Sequence, residues 1–180
     1  MTEPSLPEPR AAVAAELEEA RREFHEMLAS LSPEDWGRPS GNRAWTNGQL
    51  LFHVMFGFLL VPRLWRIMQL FGRLPADWSR TFARVLDYTT PLYNRVNGVL
   101  PRLGGRAYDQ KSLARAYDRI HAQILRRLSS IRETDWGRVM HYPTRWDPRF
   151  SEVMRMGDLP RWAVAHLRHH RTQLRPPGRV

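Results

Sequence analysis

Cysteine is absent from the 180-residue sequence. Its absence excludes structural disulfides, zinc sites with cysteine ligands and a catalytic thiol supplied by the protein itself. Any thiol chemistry would therefore use a thiol that a substrate or cosubstrate brings. The first nine residues, Met1–Pro9, are acidic and rich in proline, and they resemble neither a signal peptide nor a transit peptide. We expect a cytoplasmic location, where thiols stay reduced.

Lysine is nearly absent as well, since Lys111 is the sole lysine among 28 basic residues. The basic residues outnumber the 18 acidic ones and give a formal net charge of +10 at pH 7. A basic surface of this kind raises the question of nucleic-acid binding. The arginines are scattered, however, with no run longer than pairs such as Arg126-Arg127, and no nucleic-acid-binding motif is present. We therefore expect no nucleic acid among its partners, and the small-molecule substrate that we do expect rests on the candidate site described below.

The longest apolar run, residues 50–61, is apolar all round except at His53. A dozen residues are too few to span a bilayer, so the run is typical of a helix buried in a core. Thr46 and Gln49 form a capping-box pattern that begins this helix, and Pro62 is expected to kink or break it. A histidine within such a run is costly unless it is hydrogen-bonded or binds something.

Apolar residues at helical spacing predict further helices along the chain. The first covers residues 10–31, and another covers 109–131. Residues 64–90 also follow a helical pattern, which we expect to be broken at Gly72 and Pro75.

The remaining segments are predicted from their glycine, proline and aromatic content. Residues 91–105 contain three glycines and two prolines, and they are predicted to form a long connection with one helical turn, whose apolar residues cover a pocket. Residues 139–150 are predicted to be extended and to cover one end of the fold. Residues 158–174 are predicted as the last helix, with Asp158 as its N-cap.

A short repeat relates the two halves of the chain. Asp35–Arg38, which follows the first helix, has the sequence Asp-Trp-Gly-Arg, and Asp135–Arg138 repeats it after the helix at 109–131. Each copy leads through a loop into a helix that carries a histidine, His53 in one half and His166 in the other. This order of events indicates two similar helix-loop-helix halves.

These patterns predict an all-α fold. We expect a four-helix bundle of two similar helix-loop-helix halves, joined by one long crossover connection. Residues 10–175 are predicted as a single domain, large enough to bury a core without disulfides. The flanking residues 1–9 and 176–180 are predicted as tails.

The last helix carries the residues that most suggest a site. His166 and His170 are four residues apart, so both imidazoles lie on one helical face, where they can bind one metal ion. Pairing of the two halves would place His53 opposite them. Helical spacing alone leaves open whether His169 replaces His170, and it also leaves open that these are ordinary structural or surface histidines.

These motifs resemble those of the DinB-like superfamily. Its members begin a helix with Trp-Thr shortly before a mid-helix histidine, here Trp45-Thr46 and His53, and they end with His-x-x-His-His-Arg-x-Gln-Leu, here His166–Leu174. The resemblance implies a four-helix bundle with a divalent metal, often zinc or nickel, with manganese and iron as alternatives. It implies three ligands, which map onto His53, His166 and His170. Related members, including the bacillithiol and mycothiol transferases and the mycothiol-dependent maleylpyruvate isomerase, use the metal to activate a low-molecular-weight thiol.

We therefore predict a metal-dependent enzyme that activates a low-molecular-weight thiol for S-transfer or isomerisation. Gln49, His169 and Arg171 are candidates for supporting the metal ligands or contacting the substrate. No catalytic residue is identified beyond the ligands. A metal-bound water that attacks an ester or amide is the hydrolytic alternative for the same site.

The apolar segment 61–105 is richer than the resemblance leads us to expect, and it keeps two other functions open. The first is a non-catalytic bundle that binds a hydrophobic ligand or a partner protein. The second is peripheral membrane contact through residues 64–71 and the arginine-rich surface. The sequence leaves the oligomeric state open, with a homodimer as one option.

Overall fold

The structure is a computed structural model and describes residues 8–176. In chain order its elements are α1 (Glu8–Ala29), α2 (Pro33–Trp36), α3 (Asn47–Phe71), α4 (Ala76–Tyr88), α5 (Thr90–Ala107), α6 (Gln110–Ser130), α7 (Glu133–Trp136), β1 (Val139–His141), β2 (Val153–Arg155) and α8 (Asp158–Arg171). The predicted tails at 1–9 and 176–180 lie outside the described residues, except that Glu8 and Pro9 already belong to α1 and that Pro176 follows α8.

Four long helices form a bundle. Helix α1 packs against α6 and α8, and α3 packs against the same two helices. The four therefore close a ring in which α1 and α3 lie on opposite sides, and the predicted all-α four-helix bundle is confirmed. All four helices contribute fully buried side chains to the core, among them Leu17, Phe24, Leu50, Phe58, Trp65, Leu113, Tyr117, Ile124 and Leu167.

Of the kink or break predicted at Pro62, the break does not occur, because α3 continues through this residue. Proline in a helix interior costs about 3 kcal/mol. Here the neighbouring Val61 and Trp65 are fully buried, and the Trp65 indole donates a hydrogen bond to the Met156 carbonyl at 2.7 Å, so tertiary packing offsets that cost. Over its full length of 25 residues, α3 is long and apolar enough to cross a membrane. However, 56% of its most apolar stretch is buried inside the protein, as in a core helix.

The crossover between the two halves is helical, so the long connection predicted at residues 91–105 is wrong. The chain forms α4 and then α5, although the predicted break at Gly72 and Pro75 does separate α3 from α4. Two glycines of α5 permit close packing and do not interrupt the helix. A Cβ at Gly104 would lie 2.2 Å from the Phe52 ring, and one at Gly105 would lie 2.5 Å from Cγ of Gln49, so α5 approaches α3 where it lacks side chains.

The short repeat has the same structure in both halves. Asp35 and Asp135 each lie in a four-residue helix that ends at a glycine, and each carboxylate binds the arginine three residues on, at 2.8 Å and 2.5 Å respectively. The tryptophan of each copy packs at the start of the following bundle helix. Trp36 lies against Gly48 and Trp136 against Gly157, so each copy of the repeat contacts the start of a histidine-bearing helix.

Residues 139–157 form a two-stranded antiparallel hairpin over α3, α4 and α8. Met140 pairs with Met154 across the strands, and both side chains are buried. The predicted N-cap role of Asp158 is wrong. Gly157 occupies the cap position, while the Asp158 carboxylate accepts the Arg155 backbone N–H at 2.7 Å and thereby closes the turn between β2 and α8.

Candidate metal centre

Three imidazoles converge where α3 packs against α8. His53 comes from the second turn of α3, and His166 and His170 come from successive turns of α8. The Nε2 atom of His166 lies 2.9 Å from Nε2 of His53 and 3.1 Å from Nε2 of His170. All three rings are buried, with exposures of 5–7%. The predicted convergence is therefore present, and the cluster contains His170 and not His169.

Gly57 makes room for this arrangement. It lies one turn beyond His53 on α3, and a Cβ at this position would stand 3.0 Å from Nδ1 of His166. The space that the missing side chain leaves is filled by the ring of His166.

Burial keeps the three rings neutral. Desolvation lowers the pKa of His53 to about 3 and that of His170 to about 4, and it lowers the pKa of His166 well below its ordinary value. Mutual repulsion between the imidazolium forms acts in the same direction for His53 and His166. Neutral imidazole is the form that binds a metal ion.

The hydrogen bonds around the cluster fit a cation better than a proton. Nδ1 of His170 donates to the Gln173 side-chain oxygen at 2.8 Å, which leaves Nε2 of His170 with a lone pair. Nε2 of His166 contacts both other rings, and one proton on it satisfies only one of the two contacts. A cation would accept all three lone pairs.

Two of the three nitrogen separations also fit one ion. Nitrogens bound about 2.0–2.1 Å from a common zinc ion lie roughly 3.0 Å apart at right angles and roughly 3.4 Å apart at tetrahedral angles. The separations of 2.9 Å and 3.1 Å are of this size, and all three nitrogens lie within 4.8 Å of one another. The geometry shows that the three histidines could hold a divalent metal. That they bind one stays a prediction.

Gln173 is a supporting residue that sequence reasoning missed. Its side-chain oxygen orients His170, and the Asn42 amide approaches the same oxygen at 3.5 Å. The Gln173 carbonyl accepts the Gly41 N–H, which ties the end of α8 to the loop before α3. The signal in the sequence was the glutamine three residues after His170 in the closing motif.

The three predicted supporting residues lie elsewhere. The Gln49 side chain accepts the Thr46 N–H at 3.1 Å and completes the cap of α3. His169 is exposed, its ring packs edge-on against that of His170 with centroids 5.0 Å apart, and its Nε2 contacts the Gln173 amide nitrogen at 3.1 Å. Arg171 forms ion pairs with Glu23 and Glu26 of α1. None of the three contacts the imidazole cluster directly through a hydrogen bond, and a role in the site stays a prediction for each.

Two tryptophans flank the cluster. The Trp45 ring centroid lies 4.5 Å from that of His53, and the Trp162 centroid lies 5.6 Å from that of His166. Both indoles are at least nine-tenths buried, so they shield the imidazoles from water. A cavity of about 40 Å³ beside the cluster is lined by His53, His166 and Trp162 together with other residues of α3 and α5.

Comparisons with known proteins agree with this description. No curated protein and no solved structure matches the chain significantly. Residues 16–174, which include all four bundle helices in whole or in large part and all three histidines, match the sequence model of the DinB superfamily. The chain belongs to the DinB superfamily.

Proposed function

We propose that this protein is a divalent-metal-dependent enzyme that activates a low-molecular-weight thiol for S-transfer or isomerisation of a small molecule. The observation that carries the proposal is the convergence of three buried, neutral imidazole nitrogens in a chain that has no cysteine. A bound divalent metal would supply positive charge that lowers the pKa of the thiol and holds it as a thiolate at neutral pH. Zinc and nickel are the metals we expect first.

The charge of the site favours a thiolate. Three neutral imidazoles leave the positive charge of a divalent ion uncompensated, and an anionic sulfur would offset it. Hydrolysis by a metal-bound water is helped by a general base. Among the described residues that line the cavity at His53 and His166, none is a carboxylate. The lining therefore supports thiol activation over the hydrolytic alternative.

The protein's own residues position the imidazoles of the cluster and shield them from water. Gln173 fixes the ring of His170, and Trp45 and Trp162 exclude water from the buried nitrogens. In S-transfer the thiolate sulfur forms a bond to an electrophilic carbon, the displaced group leaves with its bonding electron pair, and the thiol proton passes to solvent. In isomerisation the thiolate sulfur adds to a conjugated double bond, whose electron pair moves onto the conjugated acceptor group. After rotation about the resulting single bond, that pair re-forms the double bond and the thiolate leaves with the electron pair of the carbon–sulfur bond.

Substitution of the metal by cobalt tests this proposal. Protein loaded with Co²⁺ should develop a sulfur-to-cobalt charge-transfer absorption when glutathione, cysteine or another small thiol is added. His170→Ala should lose the absorption, since it removes a nitrogen of the cluster. His169→Ala is the matched control on the same helix, and it should keep the absorption because that ring is exposed.

Two results would contradict the proposal. One is the absence of a thiol-dependent absorption in cobalt-loaded wild-type protein with any thiol tried. The other is an identical spectrum in the wild type and in His170→Ala.

A second candidate, association with an anionic membrane surface, is favoured by α4 and α5. These helices expose large apolar side chains, namely Trp78, Val85, Tyr88, Leu92, Val96, Val99 and Leu103. They also expose Arg84, Arg95, Arg102 and Arg106, and a basic amphipathic surface is suited to anionic lipid headgroups.

Co-sedimentation with vesicles tests the membrane candidate. Binding to vesicles that contain phosphatidylserine should exceed binding to neutral vesicles and should weaken at high salt. The double variant Trp78→Glu, Leu92→Glu should reduce binding, whereas equal sedimentation with and without vesicles would eliminate this candidate.

The cytoplasmic location, the lack of nucleic-acid binding and the homodimer stay predictions.

A further inference from the structure

A second, larger cavity lies next to the histidine cluster. Its volume is about 170 Å³, and it lies between α3, α4, the start of α5, the hairpin segment and the first turns of α8. Leu60, Tyr93 and Trp162 line both this cavity and the small one at His53 and His166, so the two cavities are neighbours. Among the described residues that line the larger cavity, none is charged.

Two of the side chains that line this cavity, Tyr142 and Trp162, carry a buried hydrogen-bond donor. The Tyr142 hydroxyl and the Trp162 indole nitrogen have no hydrogen-bond partner, and the two side chains are only 4% and 6% exposed. Burying such groups without a partner costs free energy, so each is suited to an acceptor on a ligand. Burial also raises the pKa of Tyr142, which keeps its hydroxyl protonated and able to donate.

Aromatic contacts lead from these donors to the metal centre. Tyr142 packs on Phe150 with ring centroids 5.4 Å apart, and Phe150 packs on Trp162 at 4.8 Å. Trp162 in turn lies 5.6 Å from His166. A molecule in the larger cavity would therefore lie on the other side of Trp162 and Leu60 from the imidazole cluster.

We infer that this cavity binds the apolar body of the acceptor substrate, a neutral molecule of about one aromatic ring that carries a hydrogen-bond-accepting oxygen such as a carbonyl. The assignment of the occupant as the acceptor rests on the proposed function. An apolar cavity of about 150 Å³ is known to hold benzene, so the volume is suited to one substituted ring. The uncharged lining excludes carboxylates and phosphates, because an unpaired ion would be desolvated there.

Calorimetric titration with three probes tests this inference on the full chain as purified, without added thiol. Acetophenone offers a ring and a carbonyl, α-methylstyrene has nearly the same shape without the oxygen, and benzoate adds a charge. Acetophenone should bind about tenfold more tightly than α-methylstyrene, as expected for one added hydrogen bond. Benzoate should show no measurable binding.

Two substitutions locate the binding. Tyr142→Phe should remove most of the preference for acetophenone while leaving the affinity for α-methylstyrene nearly unchanged. Leu64→Trp should fill the cavity and weaken both probes, whereas Leu70→Trp on the same helix, at a side chain that is 59% exposed, is the matched control and should bind as the wild type does.

The inference is overturned if acetophenone does not bind, if benzoate binds as well as acetophenone does, or if Tyr142→Phe and Leu64→Trp bind both probes as the wild type does. The titration needs no thiol and no turnover, so it is independent of the cobalt experiment. If acetophenone binds but cobalt-loaded protein shows no thiol-dependent absorption, the ligand cavity is supported and the proposed thiol-activating function is contradicted. If the absorption appears but acetophenone does not bind, the proposed function is supported and this class of acceptor substrate is contradicted.

Discussion

At the scale of single residues, the site depends on which nitrogen of each imidazole carries the proton. Gln173 determines this for His170, because its side-chain oxygen accepts the proton on Nδ1 and leaves Nε2 free to bind a cation. His53 and His166 have no hydrogen-bond partner at Nδ1, so the orientation of their rings depends on packing against Trp45, Trp162 and Gly57.

Gln173→Ala should therefore weaken metal binding without removing a ligand. We expect a loss of about 10- to 100-fold in zinc affinity, the usual size of such second-layer effects. Competition with a chromophoric chelator measures it. Thr172→Ala is the control, because its exposed hydroxyl bonds only to the His169 carbonyl and the change should leave zinc affinity unchanged. An unaltered affinity in Gln173→Ala would show that Gln173 does not orient the ligand.

The protonation of the cluster also predicts how stability depends on pH. A histidine in the unfolded chain titrates near 6.5, whereas His53 and His170 in the folded, metal-free protein titrate at about 3 and about 4. Between these values the unfolded chain binds protons that the folded protein does not. The free energy of unfolding in the presence of a chelator should therefore fall as the pH is lowered from about 6.5 towards 4, and it should not change through these groups above 6.5.

Urea unfolding at a series of pH values measures this dependence. His53→Leu should flatten the slope between pH 6.5 and 5, since one depressed group is removed. Stability that stays constant or rises on acidification through this window would contradict the account.

A residue's role could be predicted from the sequence when it depends on spacing within one helix, and not when it depends on packing between segments that are far apart in the chain. His53, His166 and His170 follow from helical spacing and a family motif. Gln173 lies beyond the end of α8 at Arg171, where its backbone N–H donates to the His170 carbonyl, and this last turn brings its side chain beside the His170 ring. The helical spacing of the histidines does not by itself identify that contact. Arg171 faces the acidic residues of α1, a contact that only the packing of two distant helices determines.

At the scale of elements, the crossover shows why glycine and proline misled the prediction. Pro91 lies in the first turn of α5, where a missing N–H costs nothing, and Gly104 and Gly105 are placed where α5 meets α3. Glycine signals a break when local conformation is considered alone. In α5 it serves close approach between helices, which depends on a partner that sequence pattern does not identify.

Two alanine substitutions in α5 test this explanation. Gly104→Ala should destabilise the protein by about 1–3 kcal/mol, because the new methyl group would overlap the Phe52 ring. Gly98→Ala is the matched control, since nothing lies within 4 Å of its added Cβ, and it should stabilise the helix by about 0.5–1 kcal/mol. Thermal unfolding compares them. Equal effects of the two changes would refute close packing as the reason for these glycines.

At the scale of the whole molecule, the two similar halves explain how the site is assembled. Each half ends its first bundle helix with an Asp-Trp-Gly-Arg turn and then delivers one histidine-bearing helix. Because α3 and α8 are neighbours in the ring, the histidines of the two helices come together. The crossover helices and the hairpin then add the apolar cavity beside the cluster.

Elemental analysis of protein purified without an affinity tag shows whether the three histidines hold a metal. We expect about one equivalent of divalent metal per chain after incubation with zinc or nickel, since one three-histidine cluster holds one ion. His53→Ala should lose this metal while remaining folded, and His25→Ala should retain it because that ring bonds to Asp118 on the bundle surface. A wild-type protein that stays metal-free after exposure to zinc, nickel and manganese would show that the cluster is not a metal site.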